Sequence, residues 1–254
     1  MTEPALRLLH LTDTHLFAGP EARLRGVDTG RTLERVLACA LDHPRRADAI
    51  LVTGDISQDE TAGAYARFRD LLAGSDLPVW CVAGNHDAPA TMAAVLGSAP
   101  FHLGGSLVHE RWAVLLVDSH LPGDHGGRIA PGTLAWLATM LEEHRHRHVL
   151  LATHHHVLPL GSRWLDELGL HNAAELLALV ARAPQLRCIL AGHVHQASDV
   201  VSDGVRFLTT PATCFQFLPG VDSFAVDTRP PGCRWLDLHA DGSIDTEVAW
   251  VSPG

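Results

Sequence analysis

Short, nearly continuous apolar runs alternate along most of the chain with longer stretches in which apolar residues recur every three or four positions. The runs Leu6–Leu11, Ala49–Thr53, Pro78–Val82, Trp112–Val117, His148–Ala152 and Leu186–Leu190 predict strands covered on both faces, because a half-exposed strand would alternate with polar residues. Between them, Arg31–Asp42, Thr61–Ala73, Ala90–Leu96, Gly132–Glu143 and Ala173–Ala181 predict helices. Leu33, Val36, Leu37 and Ala40 give the first of these one apolar stripe. Alternation of this kind predicts an α/β fold. After about residue 200 the pattern changes. Val205–Thr209, Phe224–Asp227, Arg234–His239 and Thr246–Val251 read as successive strands, with Asp241-Gly242 turning the last pair, so an antiparallel second sheet is expected at the C-terminus. No Gly/Ser linker, internal repeat or low-complexity segment interrupts the chain, and residues 1–254 are read as one domain with a β-rich portion from about 200.

Composition narrows the function. The 254 residues are 46% hydrophobic, enough to bury a large core without disulfides. No run reaches the roughly 20 apolar residues of a membrane-spanning helix. Met1–Leu6 has no cationic segment leading into an apolar one, so no signal peptide is expected and a cytoplasmic location follows. Five cysteines without metal-type spacing read as buried, reduced thiols. A net charge of −10 argues against nucleic acid as a partner, since that needs a basic face. It does not argue against a small phosphate ester, because bound cations invert the field of an acidic site. The 18 histidines are the unusual feature; some, such as His144, His146 and His148, lie in a polar run and are expected to be solvated.

Metal-competent residues follow the apolar runs repeatedly. Thr12-Asp13-Thr14-His15 follows the first run, Gly54-Asp55 the second, Gly84-Asn85-His86-Asp87 the third, His154-His155-His156 the fifth, and Gly192-His193-Val194-His195 the sixth. Ligands of α/β sheets bind beyond the carboxyl ends of strands, so five strand ends point at one region. Carboxylate, imidazole and amide together suit a first-row metal better than Ca or Mg. In D-x-H and H-x-H, alternate side chains of an extended segment share one side. A carboxylate such as Asp55 can bridge two metals through its two oxygens. Asp87 or Asp59 could orient His86, or could simply cap a helix. Trp164, Phe215 and Phe217 lie in loops near these segments and read as packing residues, one of which could stack on a base.

The ordered set D-x-H, G-D, G-N-H-D, H and G-H-x-H from Asp13 to His195 resembles the signature of the calcineurin-like metallophosphoesterases. The segments LTDTHLFA (11–18), VTGDISQD (52–59), AGNHD (83–87), HHHVLPLGSRWLD (154–166), AGHVHQ (191–196) and TPATCFQFLPG (210–220) resemble more closely the bacterial class III cyclic-AMP phosphodiesterases, as does SFAVDTRPPGCRWLDLHADG (223–242). Val157 stands where that group has proline, while Pro159 remains. The resemblance implies an αββα sandwich of two mixed β-sheets flanked by helices, and hydrolysis of 3′,5′-cyclic AMP to 5′-AMP through a metal-bridging hydroxide. A glycerophosphodiester or a broader range of diesters is the alternative substrate. It implies two first-row ions, Fe and/or Mn or else Zn. Asp13, His15 and His195 would hold one; Asn85, His154 and His193 the other; Asp55 both. His154 is chosen over His155 as the first histidine after its strand. His86 would be the catalytic group, meeting the phosphate and protonating the 3′ oxygen. Asn85, His86, His15 and His195 would line the substrate site.

Overall fold

A computed structural model describes residues 5–252; most of the Met1–Leu6 segment read above for a signal peptide lies outside them. Two six-stranded mixed sheets face each other. The first has the order β12-β11-β1-β2-β3-β4, with β1 Leu6–Leu11, β2 Ala49–Thr53, β3 Val79–Val82, β4 Phe101–Leu103, β11 Gly232–Leu238 and β12 Ile244–Trp250. The second has the order β5-β6-β7-β8-β10-β9, with β5 Gly105–Val108, β6 Trp112–Leu116, β7 His148–Thr153, β8 Leu186–Ala191, β9 Ser198–Ser202 and β10 Val205–Thr209. In the first, β1 to β4 run parallel and β11 and β12 close one edge antiparallel. In the second, β6, β7, β8 and β10 are parallel, with β5 and β9 antiparallel at the edges. Helices α1 Thr29–Leu41, α2 Ala62–Leu72 and α3 Pro89–Leu96 cover the first sheet, and α4 Pro131–Glu143 and α6 Ala173–Val180 the second. The short α5, Arg163–Asp166, lies in the loop after β7.

The continuous hydrophobicity of the strands has a simple cause. In β1, Leu6 and Leu8 meet the other sheet while Leu9 and Leu11 meet the helices. In β7, Leu150 and Ala152 face inward and Val149 and Leu151 outward. Both faces are covered, so most positions are apolar. The predicted stripe Leu33, Val36, Leu37 and Ala40 of α1 is buried, and Asp28 caps that helix by accepting from the Arg31 N–H at 3.0 Å.

Four expectations need correction. The C-terminal strands do not form a sheet of their own. β10 pairs in parallel with β8 in the second sheet, whereas β11 and β12 extend the first. Apolar alternation fixes which face of a strand is buried but not which edge it joins. Phe224–Asp227 is no strand; only Val226 bridges Phe217. Cys39 is exposed on α1, while Cys81, Cys188, Cys214 and Cys233 are buried, and none is paired. His144, read as solvated, is buried at the end of α4.

Several buried polar groups lie between the sheets, His10 and Arg234 among them. His10 occupies the inward face of β1 where Leu6 and Leu8 lead toward the strand end. Its Nδ1 is 2.6 Å from Thr210 Oγ1 and its Nε2 is 2.8 Å from Thr53 Oγ1. Burial, then the charge of Arg234, pushes its pKa down to about 3. The folded chain therefore resists a proton that the unfolded chain accepts near pH 6.5. Stability contributed by neutral His10 is full above pH 6.5 and is lost as pH falls toward 3. We expect denaturant unfolding of the wild type to lose on the order of 4 kcal/mol more than His10→Gln between those limits; parallel pH dependences of the two proteins would contradict this.

Candidate metal centre

Every metal-competent segment follows the C-terminal end of a parallel strand: Asp13 and His15 after β1, Asp55 after β2, Asn85 and His86 after β3, His154 after β7, and His193 and His195 after β8. The two sheets thus contribute to one site. The local backbone differs from the extended geometry expected for D-x-H and H-x-H. Asp13, His15, Asp55, His193 and His195 all have left-handed φ, between 45° and 67°. Such residues are uncommon outside glycine and cost of order 1–3 kcal/mol each, so the surrounding fold must impose them. Their side chains converge through tight turns rather than through the alternation of a strand. Gly192 makes this packing possible: a Cβ there would collide with the Thr12 hydroxyl and crowd Asp13.

The donor atoms form two adjoining groups. In one, Asp13 Oδ1 lies 3.3 Å from His195 Nε2 and 3.9 Å from His15 Nε2, and the two imidazole nitrogens are 3.2 Å apart. In the other, His154 Nε2 lies 3.1 Å from Asn85 Oδ1 and 3.2 Å from His193 Nδ1. Asp55 Oδ2 joins them, at 3.6 Å from His15 Nε2 and 3.5 Å from His154 Nε2. The expected bridge through both oxygens does not match this arrangement. Asp55 Oδ1 accepts the His86 backbone N–H at 2.8 Å, which leaves Oδ2 alone facing both groups.

These distances fit cations. Ligands about 2.0–2.1 Å from an ion sit roughly 3–3.5 Å from each other. Imidazole nitrogens facing tip to tip repel unless something positive lies between them. The outer nitrogens fix which one faces inward: His154 Nδ1 donates to the Thr53 carbonyl at 2.6 Å, His195 Nδ1 to the Phe215 carbonyl at 2.8 Å, and His15 Nδ1 to Gln58 Oε1 at 2.8 Å. Each Nε2 is left with its lone pair toward the carboxylates. Asp13 Oδ1 is buried without a hydrogen bond, an orphan that a cation would satisfy.

The electrostatics agree. Burial alone would raise the Asp13 and Asp55 carboxyls, yet His195 holds the first below the usual range and His154 holds the second well below it. Burial opposes charge on His154 and His195 too, but Asp55 lifts His154 to about 9 and Asp13 lifts His195 well above its ordinary value. Without other cations, two protons would sit on the Nε2 atoms that face the carboxylates. The site demands positive charge where metal would lie. His15, lowered to about 4 mainly by burial, and His193, lowered well below its ordinary value by burial and the neighbouring histidines, stay neutral imidazoles.

Other expected residues fall elsewhere. His155 spends Nδ1 on Ser119 Oγ at 2.8 Å and Nε2 on the His125 carbonyl at 3.3 Å, so neither nitrogen is free for the centre. His156 stacks on His193 with centroids 5.9 Å apart. Neither the Asp87 nor the Asp59 carboxylate hydrogen-bonds the His86 ring. Asp87 accepts from the Ile56, Ser57 and Gly84 N–H groups and from Tyr65 Oη, tying the β2 and β3 loops together. Asp59 accepts from the Ala18 N–H and from Thr61. The residue that meets His86 is Gln58, with Nε2 3.3 Å from His86 Nδ1. His125 approaches the Asn85 amide at 3.3 Å. Sequence reasoning missed both. Gln58 lies inside a quoted motif, but a lone His125 in a loop gives no spacing signal.

A cleft of about 250 Å³ opens over the centre. Its polar floor includes Asp55, Asn85, His86, His193 and His195; its apolar wall includes Trp164, Phe215, Phe217 and Phe224. Phe217 lies parallel to His195 at 4.0 Å, while Arg25 covers Phe224 at 4.1 Å. The aromatic residues read as packing thus also face the cleft.

The family described as Calcineurin-like phosphoesterase matches residues 6–197. The chain is 40% identical over 247 residues to the 3′,5′-cyclic adenosine monophosphate phosphodiesterase CpdA of Escherichia coli (strain K12), covering 97% of this chain and 90% of that protein. It is also 40% identical over 255 residues to the enzyme of the same name from Pseudomonas aeruginosa, covering 98% and 92%. A dimetal phosphatase from Danio rerio superposes with a TM-score of 0.67 at 14% identity, covering 98% of this chain and all of that one (100%), which supports the fold. No helix among the described residues is long and apolar enough to cross a membrane.

Two substitutions separate the adjacent histidines. His154→Ala should lose at least one equivalent of bound metal by elemental analysis of the reconstituted protein. His155→Ala should keep the wild-type content. The reverse result would move the ligand to His155.

Proposed function

The chain belongs to the calcineurin-like phosphoesterases, and from that membership we propose that it hydrolyses 3′,5′-cyclic AMP to 5′-AMP. The observation that carries this reading is likeness along nearly the whole chain to enzymes named for that substrate, around a buried set of carboxylate, amide and imidazole donors held at ligand spacing. Asp13, His15 and His195 would hold one cation, Asn85, His154 and His193 the second, and Asp55 would serve both. The mixed nitrogen and oxygen donors favour Fe and/or Mn, with Zn also compatible. The acidic net charge, −10, suits a small diester in the cytoplasm rather than nucleic acid.

Two cations bound here would supply Lewis-acid charge against the phosphate oxygens and acidify water at neutral pH. The chain's own residues do the rest. Asp55 Oδ1 fixes the backbone of His86, which sets that ring at the cleft floor beside His15, with centroids 5.1 Å apart. His86 hydrogen-bonds the phosphate and the departing 3′ oxygen. Asn85 orients the phosphate, and His15 and His195 border the same space. The aromatic wall gives the nucleoside a largely apolar surface and keeps bulk water from one side of the reacting centre.

Metal-reconstituted protein should convert cyclic AMP to 5′-AMP, identified against 3′-AMP by chromatography. It should do so faster than it hydrolyses cyclic GMP, a glycerophosphodiester or bis(4-nitrophenyl) phosphate. His86→Ala should lower turnover by about 10²–10⁴ with both metals retained. A preference for the glycerophosphodiester would reassign the substrate, and an unchanged rate for His86→Ala would remove that residue from the chemistry.

A further inference from the structure

Gln58 connects the metal centre to the catalytic histidine, and the direction of its hydrogen bonds is forced. His15 Nε2 faces His195 Nε2 at 3.2 Å and Asp55 Oδ2 at 3.6 Å, so as a ligand it must present a lone pair. Neutral imidazole has one N–H, which must then lie on Nδ1. That nitrogen is 2.8 Å from Gln58 Oε1, the only end of an amide that accepts. The other end of the amide is therefore the NH₂ group, which lies 3.3 Å from His86 Nδ1. An NH₂ can only donate, so His86 Nδ1 must accept. The His86 ring hydrogen is left on Nε2.

We propose that Gln58 is a positioning residue that couples the two histidines: by accepting from the ligand His15 and donating to His86, it fixes His86 as the tautomer that presents an Nε2–H. No other side-chain hydrogen bond to a ring nitrogen of His86 occurs among the described residues; the ring also lies near the Asp55 carboxylate and the rings of His15 and His125, with centroids at 5.1 and 5.7 Å. Gln58 is half-buried between the loops after β1 and β3, where it can sense the state of one and orient the other. A hydrogen-bond donor at this place serves an alkoxide leaving group, such as the 3′ oxygen of a ribose, far more than a nitrophenolate that departs unaided. The coupling thus makes this chain selective for diesters with poor leaving groups. This last step rests on the phosphodiesterase reading; the tautomer does not.

The test uses full-length protein reconstituted with zinc, which is diamagnetic, and labelled with ¹⁵N-histidine. His86 is assigned by the signals lost in His86→Ala. Long-range ¹H–¹⁵N correlation should show wild-type His86 protonated at Nε2 and bare at Nδ1, and Gln58→Met should show the two tautomers mixed. Protonation at Nδ1 in the wild type, or a pattern unchanged in Gln58→Met, would overturn the proposal. In turnover, Gln58→Met should slow cyclic AMP hydrolysis by roughly ten- to a hundredfold while keeping two metals. Hydrolysis of bis(4-nitrophenyl) phosphate should fall by at least about tenfold less than that of cyclic AMP. In a His86→Ala background, Gln58→Met should have little further effect on cyclic AMP. Equal losses on both substrates, or full additivity with His86→Ala, would show that Gln58 acts only through the metal ligand and would also overturn it. A wild type with the expected tautomer that leaves cyclic AMP intact would contradict the substrate reading alone.

Discussion

Two carboxylates buried within a few ångströms of each other govern this molecule. Asp13 and Asp55 lie in the core with no arginine or lysine beside them, and imidazole nitrogens surround them. A pair of buried negative charges is tolerable only if positive charge is placed against them. The imidazoles turn lone pairs inward because their outer nitrogens are committed to the Thr53 and Phe215 carbonyls and to Gln58. The protein thus builds a cage whose stable occupant is cationic.

The fold is arranged to meet this demand. Parallel strands from two sheets end on the same side, so their loops converge without long excursions. The dry, interdigitated layer between the sheets holds those strand ends rigidly. That rigidity sustains left-handed backbone at Asp13, His15, Asp55, His193 and His195, a strain no isolated loop would keep. Asp87 adds a second restraint by gathering backbone N–H groups from the β2 and β3 loops.

Much of this was legible in the sequence, for identifiable reasons. Strands buried on both faces announce themselves as unbroken apolar runs, and β1, β2 and β10 begin and end where the pattern places them. The metal-competent residues were visible because each follows such a run. Sheet membership after residue 200 was not legible, because an edge pairing leaves no periodic trace. The edge strands β4, β5 and β9 were missed because they are largely exposed and carry no unbroken apolar run. The left-handed turns at Asp13 and His195 were hidden, since side-chain type says little about backbone sign. Gln58 was hidden for a different reason: its role depends on hydrogen-bond direction, which exists only once His15, Gln58 and His86 are in contact.

The central claim is that Asp55, whose Oδ2 faces both groups of donors, would serve two cations. Anomalous diffraction from a crystal of the reconstituted protein tests it most directly. The account predicts two peaks about 3.5–4 Å apart on either side of Asp55 Oδ2, one near His15 and His195 and the other near His154 and His193. A single peak at full occupancy, or two peaks that do not both contact Asp55, would contradict it.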